Sequence, residues 1–309
     1  MNEEQFQRNL EKYAELTVHT GINIQKNQTL VINASINAAD FVRIATRKAY
    51  EAGARNVHVE WIDDQITLIK YKHAPEDAFT EYPHWRAAGF TEMAKDDAAF
   101  LYVRATDPDL LRGVDPERIS TANKTAAVAN REFSVFTRSS TVTWTIVAVP
   151  NPEWALKIFP NETPERAVEL LWEQIFHLTR ADREDPAAAW KEHLDRLEET
   201  VTYLNDKKYR KLHYKGPGTD LTIGLPDKHI WIAAGEKNGK GVSFVANIPT
   251  EEVFTCPNRN EVDGVVTSTK PLNYGGNLIE NFSLTFKAGK VVDIKAEEGE
   301  TILRNWLKR

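Results

Sequence analysis

The chain has 309 residues, enough to bury one large or two ordinary hydrophobic cores, and its 41% hydrophobic and 27% charged residues exclude a disordered chain. A net charge of −6, without any stretch dense in lysine and arginine, argues against nucleic-acid binding. No run approaches the roughly 18 apolar residues of a membrane-spanning helix. The single cysteine, Cys256, excludes an intramolecular disulfide, and the acidic N-terminus lacks the apolar core of a signal peptide. We therefore expect a cytoplasmic protein that binds neither nucleic acid nor a membrane.

The first two thirds of the chain alternate between strand and helix patterns. Apolar or alternating stretches predict strands at residues 30–32, 56–61, 99–103 and 142–149. Helices are predicted at residues 38–52, which Gly53 ends, and at residues 121–137. Strands separated by helices predict an α/β domain with a mostly parallel sheet flanked by helices.

Three further helices follow, and the last of them leads to a predicted domain boundary. The first covers residues 151–159, and the other two begin at Pro164 and Pro186, each directly after a residue that can cap a helix. The third helix has an apolar stripe that runs from Trp190 to Leu204 and ends in polar residues 205–208. Residues 1–205 are therefore predicted to form an N-terminal α/β domain, and residues 206–309 the β-rich part of a second domain.

The second domain has the patterns of antiparallel strands. Strands are predicted at residues 212–214 and 221–224, on either side of a turn-rich connection at residues 216–220. A hairpin is predicted around residues 287–290, between apolar residues 284–286 and 291–294. The chain then ends in a short basic helix at residues 301–309.

The candidate site is an acidic turn, residues 247–255, which read NIPTEEVFT. Glu251 and Glu252 stand side by side, so in an extended segment their side chains point to opposite faces. One of them can then face a cleft while the other braces the turn. The apolar residues that follow suggest anchoring in a core, where a carboxylate needs a metal, a base or an arginine as partner. Acidic pairs in turns are, however, usually solvated surface.

The histidines and the cysteine offer weaker candidates. The eight histidines show no metal-ligand spacing, and His193, which lies off the apolar stripe of its helix, is expected to face solvent. Cys256 is expected to be a small buried hydrophobe. A hydrolase centred on Cys256 stays open as an alternative, which chelator-resistant activity that is abolished by Cys256→Ser would support.

The acidic turn resembles the signature of peptidase family M29, the thermophilic-type metalloaminopeptidases that form the aminopeptidase T, S and PepS group. Further stretches in family order carry the same resemblance over essentially all 309 residues. They are EAGA at residues 51–54, DP at 107–108, GVDP at 113–116, WTIV at 144–147, GPGTDL at 216–221 and TSTKPL at 267–272.

The resemblance implies an N-terminal α/β domain followed by a catalytic domain, in a homodimer that removes N-terminal residues from peptide substrates. It implies two divalent metal ions per site, of which zinc, cobalt and manganese all suit carboxylate and imidazole ligands. The family's first metal-bridging glutamate matches Glu252. The neighbouring Glu251 would support the turn or assist the chemistry. We take Glu251 as the candidate catalytic residue.

The chain departs from the family pattern in one respect. The resemblance implies a second glutamate, two histidines, an aspartate and a catalytic tyrosine further along, whereas no histidine follows His229. We therefore expect residues 206–309 to be an incomplete catalytic domain that lacks several metal ligands. The alternative is a catalytically inactive protein on the same scaffold that dimerises or binds peptides.

Overall fold

The structure, a computed structural model, describes residues 1–105, 107–274 and 277–307. The chain divides into two compact units. The first contains Met1–Leu110, Val114–Asp195 and Ala234–Glu251, and the second contains Leu111–Gly113, Arg196–Ala233 and Glu252–Arg309. The predicted domain boundary between residues 205 and 206 stays a prediction, since these units are compact groupings of contacts and divide the chain elsewhere.

The first unit is built on a four-stranded parallel sheet in the order β2-β1-β3-β4. Its strands are β1 Thr29–Ser35, β2 Asn56–Ile62, β3 Ala99–Arg104 and β4 Trp144–Ala148. The central strand β1 is buried over most of its length because parallel strands that are covered by helices meet solvent on neither face. The predicted α/β fold class, with a mostly parallel sheet flanked by helices, is confirmed.

The helices of the first unit lie between and after these strands. They are α1 Glu3–Leu16, α2 Ala39–Glu51, α3 Asp64–His73, α4 His84–Lys95, α5 Pro116–Ala129, α6 Arg131–Arg138, α7 Pro152–Ile158, α8 Pro164–Leu178 and the first part of α9 Pro186–Lys207. Short 3-10 helices occur at Ile36–Ala38 and Glu76–Phe79. The starts of α8 and α9 are capped as predicted, because Thr163 and Asp185 accept hydrogen bonds from backbone N–H groups of the first turn.

The helix that was predicted at residues 121–137 is wrong in one respect, because the chain forms two helices there. α5 ends at Ala129 and α6 begins at Arg131, with Asn130 between them. The side chain and the backbone N–H of Asn130 both donate to the Ala126 carbonyl, at 2.8 and 2.9 Å, and close the last turn of α5. Without proline or glycine at this point, the apolar periodicity runs on through the break.

A π-helix, Thr17–Ile22, follows α1 directly and lies in the core of the unit. Gly21 allows a close approach there: a Cβ atom at this position would lie 3.0 Å from Cδ1 of Ile248 and 3.2 Å from the side chain of Thr145. Single turns of π-helix are rare and often lie beside functional sites. The π-helix therefore packs against the stretch of chain that leads into the acidic turn.

Residues 234–251 return to the first unit after the chain has passed through part of the second. They form a two-stranded antiparallel ribbon of β7 Gly235–Lys237 and β8 Ser243–Val245. Thr145 donates its hydroxyl to the Val245 carbonyl at 2.7 Å. A parallel bridge then joins Asn247 to Ile146 and extends the sheet beyond its edge strand β4. Hydrophobic burial holds this extension, since Phe244 and Ile248 are almost fully buried.

The second unit is a five-stranded antiparallel sheet in the order β13-β12-β9-β6-β5. Its strands are β5 Lys211–Gly216, β6 Thr219–Gly224, β9 Val262–Thr267, β12 Ser283–Lys287 and β13 Lys290–Lys295, with a small pair of β10 Leu272–Tyr274 and β11 Asn277–Ile279. The hairpin predicted at residues 287–290 is confirmed as the turn between β12 and β13.

The last helix, α10 Glu300–Leu307, also belongs to the second unit, and residues 308–309 of the predicted C-terminal helix lie outside the described residues. Leu303 of this helix is buried together with Ile279 and Ile294. In the part of the chain that the structure describes, no helix has the length and apolar character needed to cross a lipid bilayer.

Candidate functional site

The acidic turn begins as an added edge of the parallel sheet. The Ile146 N–H donates to the Ala246 carbonyl at 2.9 Å, and the Ile248 N–H donates to the Ile146 carbonyl at 3.0 Å. Ile248 is buried, whereas Phe254, predicted as part of the core anchor, is 45% exposed. The anchor of the turn is therefore Ile248 on its N-terminal side, followed by a cis peptide bond to Pro249.

Thr250 is held by a buried histidine. Nε2 of His193 lies 2.7 Å from the Thr250 carbonyl oxygen, which can only accept, so this ring nitrogen carries the proton and donates. The side chain of His193 is only 6% exposed, so the expectation that it faces solvent was wrong. Its position off the apolar stripe reflects a polar contact inside the unit instead of exposure to water.

Glu251 is held by an arginine. Nη2 of Arg180 donates to Oε1 of Glu251 at 3.0 Å, and Oε2 of the same carboxylate lies 3.6 Å from Nε2 of His193. The guanidinium of Arg180 also lies over the indole of Trp190, 5.3 Å from the ring centroid. One of the partners foreseen for a carboxylate in this turn, an arginine, is therefore present beside Glu251.

Trp190 contacts both His193 and Arg180, the residues that hold Thr250 and Glu251. Its indole N–H donates to the Thr179 carbonyl at 2.7 Å, and its ring meets that of His193 edge to face, with centroids 5.5 Å apart. Trp190 is completely buried. Because α9 carries Trp190 and His193, and Thr179 and Arg180 directly follow α8, the contacts tie the ends of two helices to the acidic turn.

Glu252 differs from Glu251 in its surroundings. It is exposed, and among the described residues it has no hydrogen bond or ion pair. Glu252 opens the last segment of the second unit, where Phe254 pairs with Ile232 in an antiparallel bridge and the Thr255 hydroxyl donates to the Ile230 carbonyl at 2.8 Å. A carboxylate with these properties is available to bind a cation.

The described residues do not complete a metal site by themselves. Across residues 1–105, 107–274 and 277–307, no group of three or more histidine, cysteine, aspartate or glutamate side chains is placed to hold a metal ion. Glu251 is engaged by Arg180, which leaves Glu252 as the single carboxylate of the acidic turn that faces outward without a partner. The two-metal site that the resemblance implies therefore does not fit these side chains alone.

The remaining candidates are separate from this turn. Cys256 is exposed, so the expectation that it is a small buried hydrophobe was wrong. Among the histidines, His177 pairs with Asp182 and His213 pairs with Asp220, both at the surface. The contacts of these histidines are surface hydrogen bonds to carboxylates, and neither contact involves the acidic turn.

Sequence reasoning missed His193 and Arg180 for a physical reason. Their contacts join residues that lie 57 and 71 positions apart, and no local periodicity reports such pairings. One feature of the sequence could have indicated His193. It lies on the same helix as Trp190, the first residue of the apolar stripe, and a histidine that is buried beside such a stripe needs a polar partner.

Comparison with known proteins places the chain among peptidases. The profile of a family described as thermophilic metalloprotease (M29) matches residues 6–309. Aminopeptidase AmpS of Bacillus subtilis is 50% identical over 299 residues, which cover 97% of this chain and 73% of the relative. Aminopeptidase 2 of Geobacillus stearothermophilus is 49% identical over 302 residues, covering 98% of this chain and 73% of that protein.

A solved structure agrees with this. Wild-type AmpT from Thermus thermophilus superposes with a TM-score of 0.91 at 39% sequence identity, covering 97% of this chain and 74% of the other. At this identity both the fold and the family are shared, and the predicted resemblance of the chain to family M29 is confirmed. The protein therefore belongs to peptidase family M29, the thermophilic metalloproteases.

Proposed function

We propose that this protein is a metal-dependent aminopeptidase that releases N-terminal amino acids from peptides. The names of its relatives support this activity, since proteins 50% and 49% identical to it are aminopeptidases. The observation that carries the proposal is the exposed Glu252, which directly follows a segment held by buried contacts. A pre-positioned carboxylate without a protein partner is the kind of ligand that a divalent cation uses.

The proposal extends to the metals. We propose that the working site holds two divalent ions, zinc, cobalt or manganese, with Glu252 as one ligand. Such a pair, held in part by Glu252, would supply Lewis-acid activation of water and of a carbonyl group. Because the described residues offer no group of three ligands, we also propose that these 309 residues lack several ligands of the site. The contribution of this chain is then to bind a metal through Glu252.

Glu251 is proposed as the second functional carboxylate, the candidate catalytic residue of the turn. Its ion pair with Arg180 supports a role in holding the turn, and its side chain is still 57% exposed. Glu251 can therefore hold Arg180 through Oε1 and still present Oε2 to a ligand.

The partners and the location are proposed on the same basis. Peptides are the proposed substrates, a homodimer is the proposed assembly, and the cytoplasm is the proposed location. Exposed apolar side chains support self-association, since Trp85, Ile66 and Ile69 are more than half exposed in the first unit. Light scattering that gives twice the chain mass of 35.1 kDa is the expected result, and the chain mass alone would contradict the dimer.

The activity is tested by hydrolysis of leucine p-nitroanilide with added zinc, cobalt or manganese, and with EDTA. The protein isolated from its source is expected to cleave the substrate and to lose the activity in EDTA. The 309-residue chain alone is expected not to cleave it with any of the three metals, because several ligands are missing. Turnover by that chain would refute the missing-ligand part and leave the aminopeptidase part standing.

The same assay separates the alternative, a peptide-binding or dimerising protein without activity. That protein would bind peptides in EDTA as well as in metal and would release no amino acid. Binding of this kind, without turnover by the protein from its source, would refute the proposed aminopeptidase function.

A further inference from the structure

We propose that His193 and Arg180 are positioning residues, which hold the acidic turn in the conformation from which Glu252 projects. The proposal rests on the proposed function, because it takes Glu252 to be a metal ligand. Neither residue belongs to the acidic-turn motif: His193 lies within α9, and Arg180 lies just after the end of α8. Each acts on one of two successive residues, Thr250 and Glu251.

The first contact fixes the backbone. The N–H of His193 donates to the Thr250 carbonyl at 2.7 Å, from a side chain that is only 6% exposed. Removing a buried donor leaves a carbonyl without its partner, which costs more than the net strength of an ordinary hydrogen bond. The peptide plane that follows Thr250 therefore has a defined orientation.

Trp190 keeps this histidine in place. The ring of the completely buried Trp190 packs edge to face on His193, and its N–H donates to the Thr179 carbonyl at 2.7 Å. The imidazole is thus confined by packing on one side and by its hydrogen bond on the other. A side chain fixed in this way can set the position of what it binds.

Arg180 supplies the second contact from a strained backbone. Its φ angle is +63°, in the left-handed region that commonly holds glycine after a helix, and α8 ends at Leu178. A residue with a side chain at such a position is disfavoured unless the side chain is used. Here it is used three times, since the guanidinium lies over Trp190, donates to the Leu178 carbonyl at 3.2 Å and donates to Glu251 at 3.0 Å.

Together the contacts fix the residue before the proposed ligand. The carbonyl of Thr250 and the side chain of Glu251 are both held, and Glu252 follows by a single peptide bond. Holding Glu251 therefore limits the directions in which the side chain of Glu252 can project.

A purely structural role, in which both residues only join α8 to α9, makes different predictions. In that case any substitution at these positions lowers the stability of the fold, and protease cleavage rises no more at the acidic turn than elsewhere in the chain. The positioning role requires a local response at the turn, which a substitution that keeps the donor should restore.

The test uses a glutamate-specific protease on the full chain, because Glu251 and Glu252 are exposed cleavage points. Cleavage after these residues, identified by fragment mass, is compared with cleavage after Glu81, an exposed reference before α4. His193→Phe keeps the ring and removes the donor, and His193→Gln keeps a donor near the same place. We expect cleavage at the turn to rise on the order of tenfold in the first variant and to stay near the wild-type rate in the second.

Arg180→Gly provides a second variant that is expected to fold. It removes all three side-chain contacts but relieves the left-handed strain, so the unfolding midpoint is expected to change little while cleavage at the turn rises. His58→Phe, the same exchange at a histidine that is 53% exposed, is the matched control and is expected to change neither. Wild-type cleavage rates at the turn in both His193→Phe and Arg180→Gly would overturn the proposal, and so would equal acceleration in His193→Gln and His193→Phe.

The protein expressed in its source, which is the form expected to be active, supplies an independent measurement. The metal concentration that gives half-maximal hydrolysis is expected to rise on the order of tenfold in His193→Phe and Arg180→Gly, and not in His193→Gln. An unchanged metal requirement in the two disrupting variants would overturn the proposal. Absence of metal-dependent hydrolysis in the wild-type protein would refute the proposed function instead, and the protease comparison would still decide whether the two residues hold the turn.

Discussion

At the scale of single residues, two chemically identical neighbours have different surroundings. Glu251 has an arginine at 3.0 Å, and Glu252 has no partner among the described residues. A carboxylate that binds a metal must be free of other partners, whereas a carboxylate that braces the turn must keep its contact. The difference between the two arises from contacts made by distant helices.

The two glutamates are therefore expected to respond differently to the same substitution. Glu252→Gln removes the negative charge of the proposed ligand, so metal-dependent hydrolysis should fall on the order of a hundredfold or more. Glu251→Gln keeps an acceptor for Arg180 and should cost less. Hydrolysis of leucine p-nitroanilide by the protein expressed in its source, over a series of metal concentrations, measures both, and an unchanged metal requirement in Glu252→Gln would contradict the assignment of Glu252 as the ligand.

A second prediction at this scale concerns Asp64, in the first turn of α3. Burial raises the pKa of its carboxyl, and the nearby charges of Asp107, Asp63 and Glu153 raise it further, although the backbone N–H of Asp107 donates to it at 3.2 Å. The folded protein thus holds this proton to a higher pH than the unfolded chain does. The stability that Asp64 contributes is full below the unfolded pKa and is lost as pH rises through the folded pKa.

Asp64→Asn keeps the acceptor and removes the titration, so its stability relative to wild type is expected to increase as pH rises from about 4 to 7. Urea unfolding at a series of pH values measures this difference. Asp40→Asn, at an exposed carboxylate in the first turn of α2, is the matched control for the loss of a surface charge. A difference for Asp64→Asn that stays constant over this range would contradict the prediction.

At the scale of elements, the hairpin between β12 and β13 has one suitable and one strained turn residue. Ala288 and Gly289 both have positive φ, as a two-residue type I′ turn requires. Glycine fits its position, where a Cβ would lie 1.6 Å from the Arg259 carbonyl oxygen. Alanine fits poorly, because its Cβ disfavours the left-handed region.

Substitutions in this turn are expected to act in opposite directions. Ala288→Asn should raise the free energy of unfolding by about 0.5–1 kcal/mol, since asparagine adopts this conformation readily. Gly289→Ala should lower it by more than about 2 kcal/mol, through strain and collision with backbone. The midpoint of chemical denaturation measures both changes, and a stabilising Gly289→Ala would contradict the account of the turn.

Elements were predictable where a local pattern decides them. The strands β1, β2 and β3 were found within a few residues because buried apolar or alternating runs are bounded by turn signals, and the hairpin at 287–290 because glycine marks it. The break at Asn130 and the π-helix at Thr17–Ile22 have no such marks. Of the candidate site, the two glutamates were found from their motif, but His193 and Arg180 were not, because tertiary contacts alone bring them to the turn.

At the scale of the whole molecule, residues 234–251 decide how the chain can be divided. Phe244 and Ile248 are almost fully buried in the first unit, and Val245 accepts a hydrogen bond from Thr145 on β4. A fragment of residues 1–205 lacks all three. That fragment is expected to unfold without a cooperative transition, because part of its core and the edge of its sheet are uncovered.

A matched fragment is expected to behave differently. Gly235 lies against Leu194, since a Cβ on the glycine would be 3.9 Å from the leucine side chain, so a short Gly/Ser linker can join residue 195 to residue 234. Residues 1–195 joined in this way to residues 234–251 should unfold cooperatively in thermal denaturation followed by circular dichroism. Cooperative unfolding of the 1–205 fragment at the same midpoint would support the boundary predicted from sequence instead.

The return of residues 234–251 to the first unit also limits how genes of this family can recombine. A single crossover near residue 205 between two relatives would take β4 from one parent and β8 from the other. The hydroxyl of Thr145 and the buried side chains of Phe244 and Ile248 would then contact residues that come from the other parent. Hybrids that inherit residues 234–251 together with residues 1–195 keep these pairs, so substitutions in the two stretches are expected to have accumulated together.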